Sequence, residues 1–373
     1  MIFTTPALNA SEQKAIEDLV AVRDRFKYTI RTPRRWLGVL RRNSLARALR
    51  GSNSIEGYIV TADDAIAAIE GEDPLDAESE TWAAIEGYRN AMTYVMELSA
   101  DPHFAYSDGL LRSLHFMMMH YDLSKHPGRW RTGPIYVRDE QSREIIYEGP
   151  DAELVPVLMG ELMTSLDDDT PTMVRAAMAH LNLVMVHPFS DGNGRMARCL
   201  QTLVLAREGI LEPTFSSIEE YLGRNTQDYY MVLKGVGSGR WSPKNDARPW
   251  IHFCLTAHHR QAATMVRRTK EIERIWGELE EIVKTRKLPE RVIYALVDAT
   301  MGFRVRNATY RNSAEVTDSV ASRDFKSLVD QGLLVPSGEK RGRAYVASAI
   351  LVALRARTRE PRGPRDAPVL QLR

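Results

Sequence analysis

The sequence predicts a mainly α-helical fold, with one β-hairpin inside a helical core and a small C-terminal unit of helices followed by a second hairpin. Three observations predict it. Apolar residues recur at helical spacing along most of the chain. Only residues 128–150 and 332–346 switch to short β-branched and aromatic runs around a polar turn. Residues 173–186 (MVRAAMAHLNLVMV) are apolar almost all round, which marks a helix buried on every side.

With 373 residues the chain has room for two or three domains, and 44% hydrophobic with 27% charged residues describes a soluble globular protein. No run approaches the ~18 apolar residues that would span a bilayer. The N-terminus, MIFTTPALNASEQKA, lacks the basic and apolar regions of a signal peptide, so a cytoplasmic protein without membrane contact is expected. Cys199 and Cys254 fit neither a disulfide framework nor a metal-ligand spacing and read as buried apolar residues. The net charge of +1 hides an asymmetry: residues 301–373 hold 14 Lys and Arg against 7 Asp and Glu. Any affinity for anionic partners is therefore expected at the C-terminal end.

In chain order, residues 8–30 read as a scaffold helix capped by Asn9 or Ser11 and carrying Ile16, Leu19, Val20 and Val22. Arg31–Arg42 (RTPRRWLGVLRR) reads as a solvated helix face rather than a nucleic-acid contact. In residues 44–60 (SLARALRGSNSIEGYIV), Ser52 and Glu56 stand four apart on one helix face, and Gly57 sits where a helix would end. Thr61 caps the next helix, which breaks at GEDPLD. The following one carries Trp82, Ile85, Tyr88, Ala91 and Val95 at core spacing. Asp108–His120 is amphipathic, with its methionines expected in packing. TGPIYV and REIIYEGP, either side of a polar turn, predict the first hairpin.

The densest chemistry lies at residues 187–198, HPFSDGNGRMAR, between the buried helix and a second helical run from Met196 to Ala206. Pro188 keeps His187 out of helical angles, and Gly192 and Gly194 permit a tight turn. A glycine-rich loop opening a helix aims backbone N–H groups and the helix dipole at one point, which suits a phosphate. Arg195 and Arg198, three apart, share a face beside that point and can fork phosphate oxygens. Asp191 can hold a Mg2+ that also takes phosphate oxygens. His187, titrating ordinarily near ~6.5, is the natural general base at neutral pH. His180, one heptad earlier, reads as a core histidine.

This string resembles the Fic family motif HPFx(D/E)GNGRxxR at every fixed position. The resemblance implies a Fic helical core and an AMP transferase (protein adenylyltransferase) that uses ATP with Mg2+ or Mn2+ and moves AMP to a protein hydroxyl. It implies His187 as base, Asp191 as metal ligand, and Gly192, Asn193 and Gly194 as anion hole. Arg195 and Arg198 take the β- and γ-phosphates, and Phe189 anchors the loop. Beside it, Ser52, Glu56 and Gly57 resemble the inhibitory motif (S/T)xxxE(G/N), placed N-terminal to the core as in class II members. That implies Glu56 pairing with Arg198. The hairpin resembles the family's flap, implying a target protein docked near residues 132–148. Self-modification and a homodimer are further expectations. De-AMPylation, or transfer of another nucleotide by the same residues, is the alternative reaction. Tyr229 and Tyr230 resemble the family's tyrosine pair, and Tyr230 is the expected adenine neighbour.

Beyond the motif, Ser217–Gly235 reads as a helical pair, residues from Pro249 as a long helix, and residues 270–299 as helical. Residues 315–346 resemble a winged helix-turn-helix, with Ser319–Gln331 as the recognition-type helix and Lys340, Arg341 and Arg343 on the wing. That implies DNA as a partner and a regulator carrying a Fic effector domain as a second reading. The expected division is 1–110 (helical, with the inhibitory helix), 111–265 (catalytic core), 266–354 (linker and winged-helix-like unit) and 355–373 (disordered tail).

Overall fold

The computed structural model describes residues 1–31, 34–138, 142–208, 217–338 and 343–361. Helix α1 (Ala10–Arg31) begins in a reciprocal cap: Glu12 N–H donates to Asn9 Oδ1 at 2.9 Å, and Asn9 N–H donates to Glu12 Oε2 at 2.7 Å. It is followed by α2 (Leu37–Ile55), α3 (Ala62–Glu70), which Thr61 caps through Asp64 N–H, α4 (Ser79–Leu98) and α5 (Asp108–Met119). Strands β1 (Tyr136–Arg138) and β2 (Ile145–Glu148) pair antiparallel as the expected hairpin; Asp139–Gln141 of its turn lie outside the described residues.

Next come α6 (Val155–Ser165), α7 (Thr172–Val186) and α8 (Asn193–Arg207). Helices α7 and α8 are buried along nearly their whole length and form the axis of the first core, which gathers residues from Ile2 to Ala257 and Phe303. The N-terminus belongs to it: Phe3 and Asn182 exchange two hydrogen bonds, at 2.8 and 3.1 Å. The predicted pair appears as α9 (Glu219–Arg224) and α10 (Thr226–Gly237).

Helix α11 (Arg248–Thr285) runs 38 residues without a break, so the division expected at 265/266 falls inside one helix. Its first part packs in the first core. Its second part (Met265, Ile272, Ile275, Trp276, Leu279) packs in a second core with α12 (Ile293–Met301), α13 (Asn307–Ala314), α14 (Asp318–Asp330) and α15 (Ala349–Thr358). Strands β3 (Leu334–Ser337) and β4 (Ala344–Ala347) form the second hairpin, and Val305 bridges to Tyr345.

Three expectations are corrected. The helix before α14 is α13, at 307–314, outside the 315–346 span expected for the winged helix-turn-helix, because Glu315 already holds a left-handed turn with φ of 53°. The chain from Arg355 continues α15 to Thr358, because Leu351 and Leu354 bury in the second core; residues from 362 lie outside the described ones. The basic stretch that runs into α2 is solvated on one side only: Arg34, Arg35 and Arg41 are exposed, whereas Trp36, Val39 and Leu40 lie in the second core and buried Arg42 pairs with Asp298 and Glu70. Helix α2 therefore joins both cores.

Candidate active site

The site is built where α7 ends. His187 takes φ of 52°, a left-handed cap that Pro188 favours by disallowing continued helix, and its N–H still bonds Leu183 C=O at 2.9 Å. Its Nδ1 lies 2.9 Å from Val184 C=O, which can only accept. Nδ1 therefore carries the hydrogen, and Nε2 keeps a lone pair. Burial lowers the imidazole's pKa below the usual histidine range, so the ring is neutral at pH 7.

The loop after it is braced from three sides. Asn193 exchanges two 2.9 Å hydrogen bonds with the backbone of Phe189, so its side chain ties the loop. Phe189 is fully buried and stacks on His115 at 3.7 Å, as expected of an anchor. Gly128 N–H donates to His115 Nδ1 at 2.8 Å, which leaves His115 Nε2–H to donate to Asp191 C=O at 3.0 Å. Burial pushes the His115 pKa down to about 4, so this bridge is neutral. Arg131 donates from Nε to His187 C=O at 2.8 Å and from Nη2 to Pro150 C=O at 2.6 Å, tying the catalytic turn to the base of the hairpin.

Gly192 then caps α8 with φ of 72°. The first intrahelical bond runs from Met196 N–H to Gly192 C=O at 2.9 Å, so the N–H groups of Asn193, Gly194 and Arg195 precede the ladder and face an incoming anion. Arg195 is buried, lies 5.0 Å over the Tyr58 ring, and has no carboxylate partner among the described residues. Arg198 is 1% exposed. Its Nε donates to Ser52 Oγ at 2.7 Å, and its Nη2 donates to Ser52 C=O at 3.0 Å and to Glu56 Oε1 at 2.7 Å. Its Nη1 has no hydrogen-bond partner among the described residues. A Cβ placed on Gly194 would lie 2.4 Å from Glu56 Oε1 and 3.2 Å from Arg198 Nη1. The Glu56 carboxylate thus lies against the anion loop itself.

Asp191 takes Gly192 N–H on Oδ1 at 2.6 Å, while Oδ2 is 3.5 Å from Lys125 and partly exposed. No three His, Cys, Asp or Glu converge among the described residues. One open carboxylate fits an ion such as Mg2+ that completes its shell from phosphate and water. Tyr229 is buried and bonds His180, whereas Tyr230 is 45% exposed with its hydroxyl 3.3 Å from Ile55 C=O, beside Glu56. His180 is a core residue held by Gln201 and Tyr229. Both cysteines are buried and free.

Residues 106–205 match the Fic/DOC family. This segment is a Fic domain. The chain is 25% identical over 266 residues to a protein adenylyltransferase, fic-1, of Caenorhabditis elegans, an alignment that covers 70% of this chain and 48% of that protein. It is 26% identical over 205 residues to the protein adenylyltransferase Fic of Nematostella vectensis, covering 54% of this chain and 44% of that one. The chain spans about half the length of these curated relatives. Its fold is similar to a Fic family protein from Desulfovibrio desulfuricans G20, with TM-score 0.57 and 22% identity over 93% of this chain and 98% of that one. A solved segment of C. elegans Fic-1 gives a TM-score of 0.53 at 21% identity, over 68% and 72%.

The structure brings His187, Asp191, Gly192, Asn193, Gly194, Arg195 and Arg198 of the Fic domain together with Ser52 and Glu56 from outside it. Two residues that hold the Fic loop were missed in the sequence, His115 and Arg131. His115 stands in an amphipathic helix and Arg131 in a basic loop, and neither has a neighbour in sequence that marks it.

Proposed function

We propose that this protein is an adenylyltransferase that moves AMP from ATP to a side-chain hydroxyl of a target protein or of itself, and that Glu56 holds it at rest. The observation that carries this reading is the Glu56 carboxylate, bonded to Arg198 and pressed on Gly194 where a terminal phosphate would bind. Nε2 of His187 accepts the proton of the incoming hydroxyl. The oxygen attacks the α-phosphorus, the bond to the bridging oxygen breaks, and pyrophosphate leaves. The N–H groups from Asn193 to Arg195 cradle the phosphates, with Arg195 and Arg198 on the β- and γ-groups. A divalent ion, Mg2+ or Mn2+, held by Asp191 and the phosphates would offset charge on the leaving group. Tyr230, at the rim, borders the adenine. The exposed hairpin of β1 and β2 takes the target segment by strand addition. Incubation with ATP labelled on the α- or the γ-phosphate tests the reaction. Label from α alone, absent in His187→Ala, supports it; label from γ overturns it.

A groove in the C-terminal unit favours a second, compatible role. Arg306, Arg311, Lys326 and Arg343 line a cavity of about 670 Å³ beside α14, together with Asp318 and Asp330. Such a face suits the phosphates of DNA. Lys340 and Arg341, expected on the wing, lie outside the described residues. Binding of duplex DNA that collapses between low and high salt supports this role, and no binding at low salt overturns it.

A further inference from the structure

Arg198 has a second carboxylate near it. Glu219, on α9, is 2% exposed and lines one small internal cleft with Arg198, Gln201 and Thr202. Arg198 and Glu219 are each hydrogen-bonded to a hydroxyl. Arg198 Nε can only donate, so Ser52 Oγ accepts at 2.7 Å. Tyr88 donates to Glu219 Oε1 at 2.7 Å. Thr202 adds a longer bond to the same oxygen at 3.4 Å, and Glu219 Oε2 has no partner among the described residues.

Two glycines make the arrangement rigid. A Cβ on Gly51 would meet Glu219 C=O at 2.6 Å, and one on Gly223 would meet Gly51 C=O at 2.6 Å. The backbones of α2 and α9 are therefore in direct contact, and Ser52 cannot withdraw from Glu219 without separating them.

We propose that Glu219, which shares a buried cleft with Arg198, is a positioning residue that sets how strongly Arg198 holds the terminal phosphate of ATP. This rests on the phosphate assignment of Arg198 made above. A carboxylate near the guanidinium attracts it but also repels any anion bound to it. The charged or titratable groups facing Glu219 are Arg198 and Cys199 from α8 and Tyr88 from α4. Burial keeps Tyr88 and Cys199 protonated and pushes Glu219 up to about 7, so Glu219 alone changes charge near neutrality. The repulsion is therefore present above that pH and absent well below it.

The test compares full-length Glu56→Gly protein with and without Glu219→Gln, both carrying His187→Ala to stop turnover. Affinities for ATP and for ADP with Mg2+ are measured by calorimetry at pH 6 and 8.5. At pH 8.5 Glu219→Gln should tighten ATP about three- to ten-fold and leave ADP nearly unchanged; at pH 6 the gain should vanish. Parallel weakening of ATP and ADP, or an ATP gain equal at both pH values, overturns the inference. A parent with no preference for ATP over ADP overturns the phosphate assignment, and the inference with it. A preserved preference that Glu219→Gln leaves unmoved at pH 8.5 overturns the inference alone. If melting shows that the Gln variant folds poorly, the parent is titrated with the γ-thio analogue of ATP, whose terminal group stays ionised over this range. Its affinity should fall several-fold from pH 6 to 8.5, and a flat or rising affinity overturns the inference.

Discussion

Replacing Glu56 with Gly removes the only carboxylate bonded to Arg198 among the described residues and clears the space over Gly194. A charge-assisted hydrogen bond contributes about 1.5–3 kcal/mol net. Arg198 is 1% exposed and Glu56 26%, so one partner is desolvated and the other partly screened, which places this pair inside that range rather than above it. If the bond must break before ATP seats productively, its loss raises the productive fraction on the order of 10- to 100-fold. Helix α2 should survive, because Glu56 is its C-cap and Gly57, at φ of 85°, already ends it. The assay is initial-rate incorporation of α-labelled AMP into purified full-length protein at saturating ATP, with thermal melting as the fold control. Equal rates in wild type and variant with unchanged melting would refute the reasoning, since the observed contact would then cost ATP nothing.

Three further outcomes follow from the same geometry. His187 must be neutral to act, and its pKa is lowered by burial, so activity should be lost as pH falls through a value below the usual ~6.5; Glu56 raises that pKa, so the acid limb of Glu56→Gly should lie lower still in a pH–rate profile. His115→Phe keeps a ring on Phe189 but strands Gly128 N–H and Asp191 C=O, which should lower kcat on the order of 10- to 100-fold through a misplaced loop, read in single-turnover labelling. Arg42→Met leaves Asp298 buried without its arginine and should cost about 3 kcal/mol in denaturant unfolding; a loss below about 1 kcal/mol would mean that the ion pair does not clamp α2.

The parts of the site legible in the sequence are those contiguous in it. HPFSDGNGRMAR carries its own turn chemistry, so the loop, His187 and the two arginines could be brought together before any fold was known. Glu56 could be matched to Arg198 only through a family resemblance, because 142 residues separate them and Ser-x-x-x-Glu is common in helices. His115, Arg131 and Glu219 were illegible for a physical reason. Each is a lone polar residue in an amphipathic or basic stretch, and its importance comes from backbone groups or charges brought by other segments. Arg42 shows the same failure in reverse: flanked by arginines it reads as surface, yet the acidic partner that draws it inward lies on α12.

Helix α2 is clamped along most of its length, and this constrains how the proposed inhibition can end. Trp36, Val39 and Leu40 are set in the second core, Arg42 is bonded to α12, Gly51 lies against α9, and Ser52 is held by Arg198. Moving the whole helix would break all of these together, including a buried ion pair and a close backbone crossing. The last residue is different. Glu56 is the C-cap and partly exposed, and Gly57 after it takes a left-handed turn that costs glycine nothing. Release therefore needs only the final turn of α2 to fray, with Ser52 still held by Arg198. On this view Arg198 stays oriented while its front is exchanged between Glu56 and phosphate, so the switch is the end of the helix and the rest of α2 is its fixed mount.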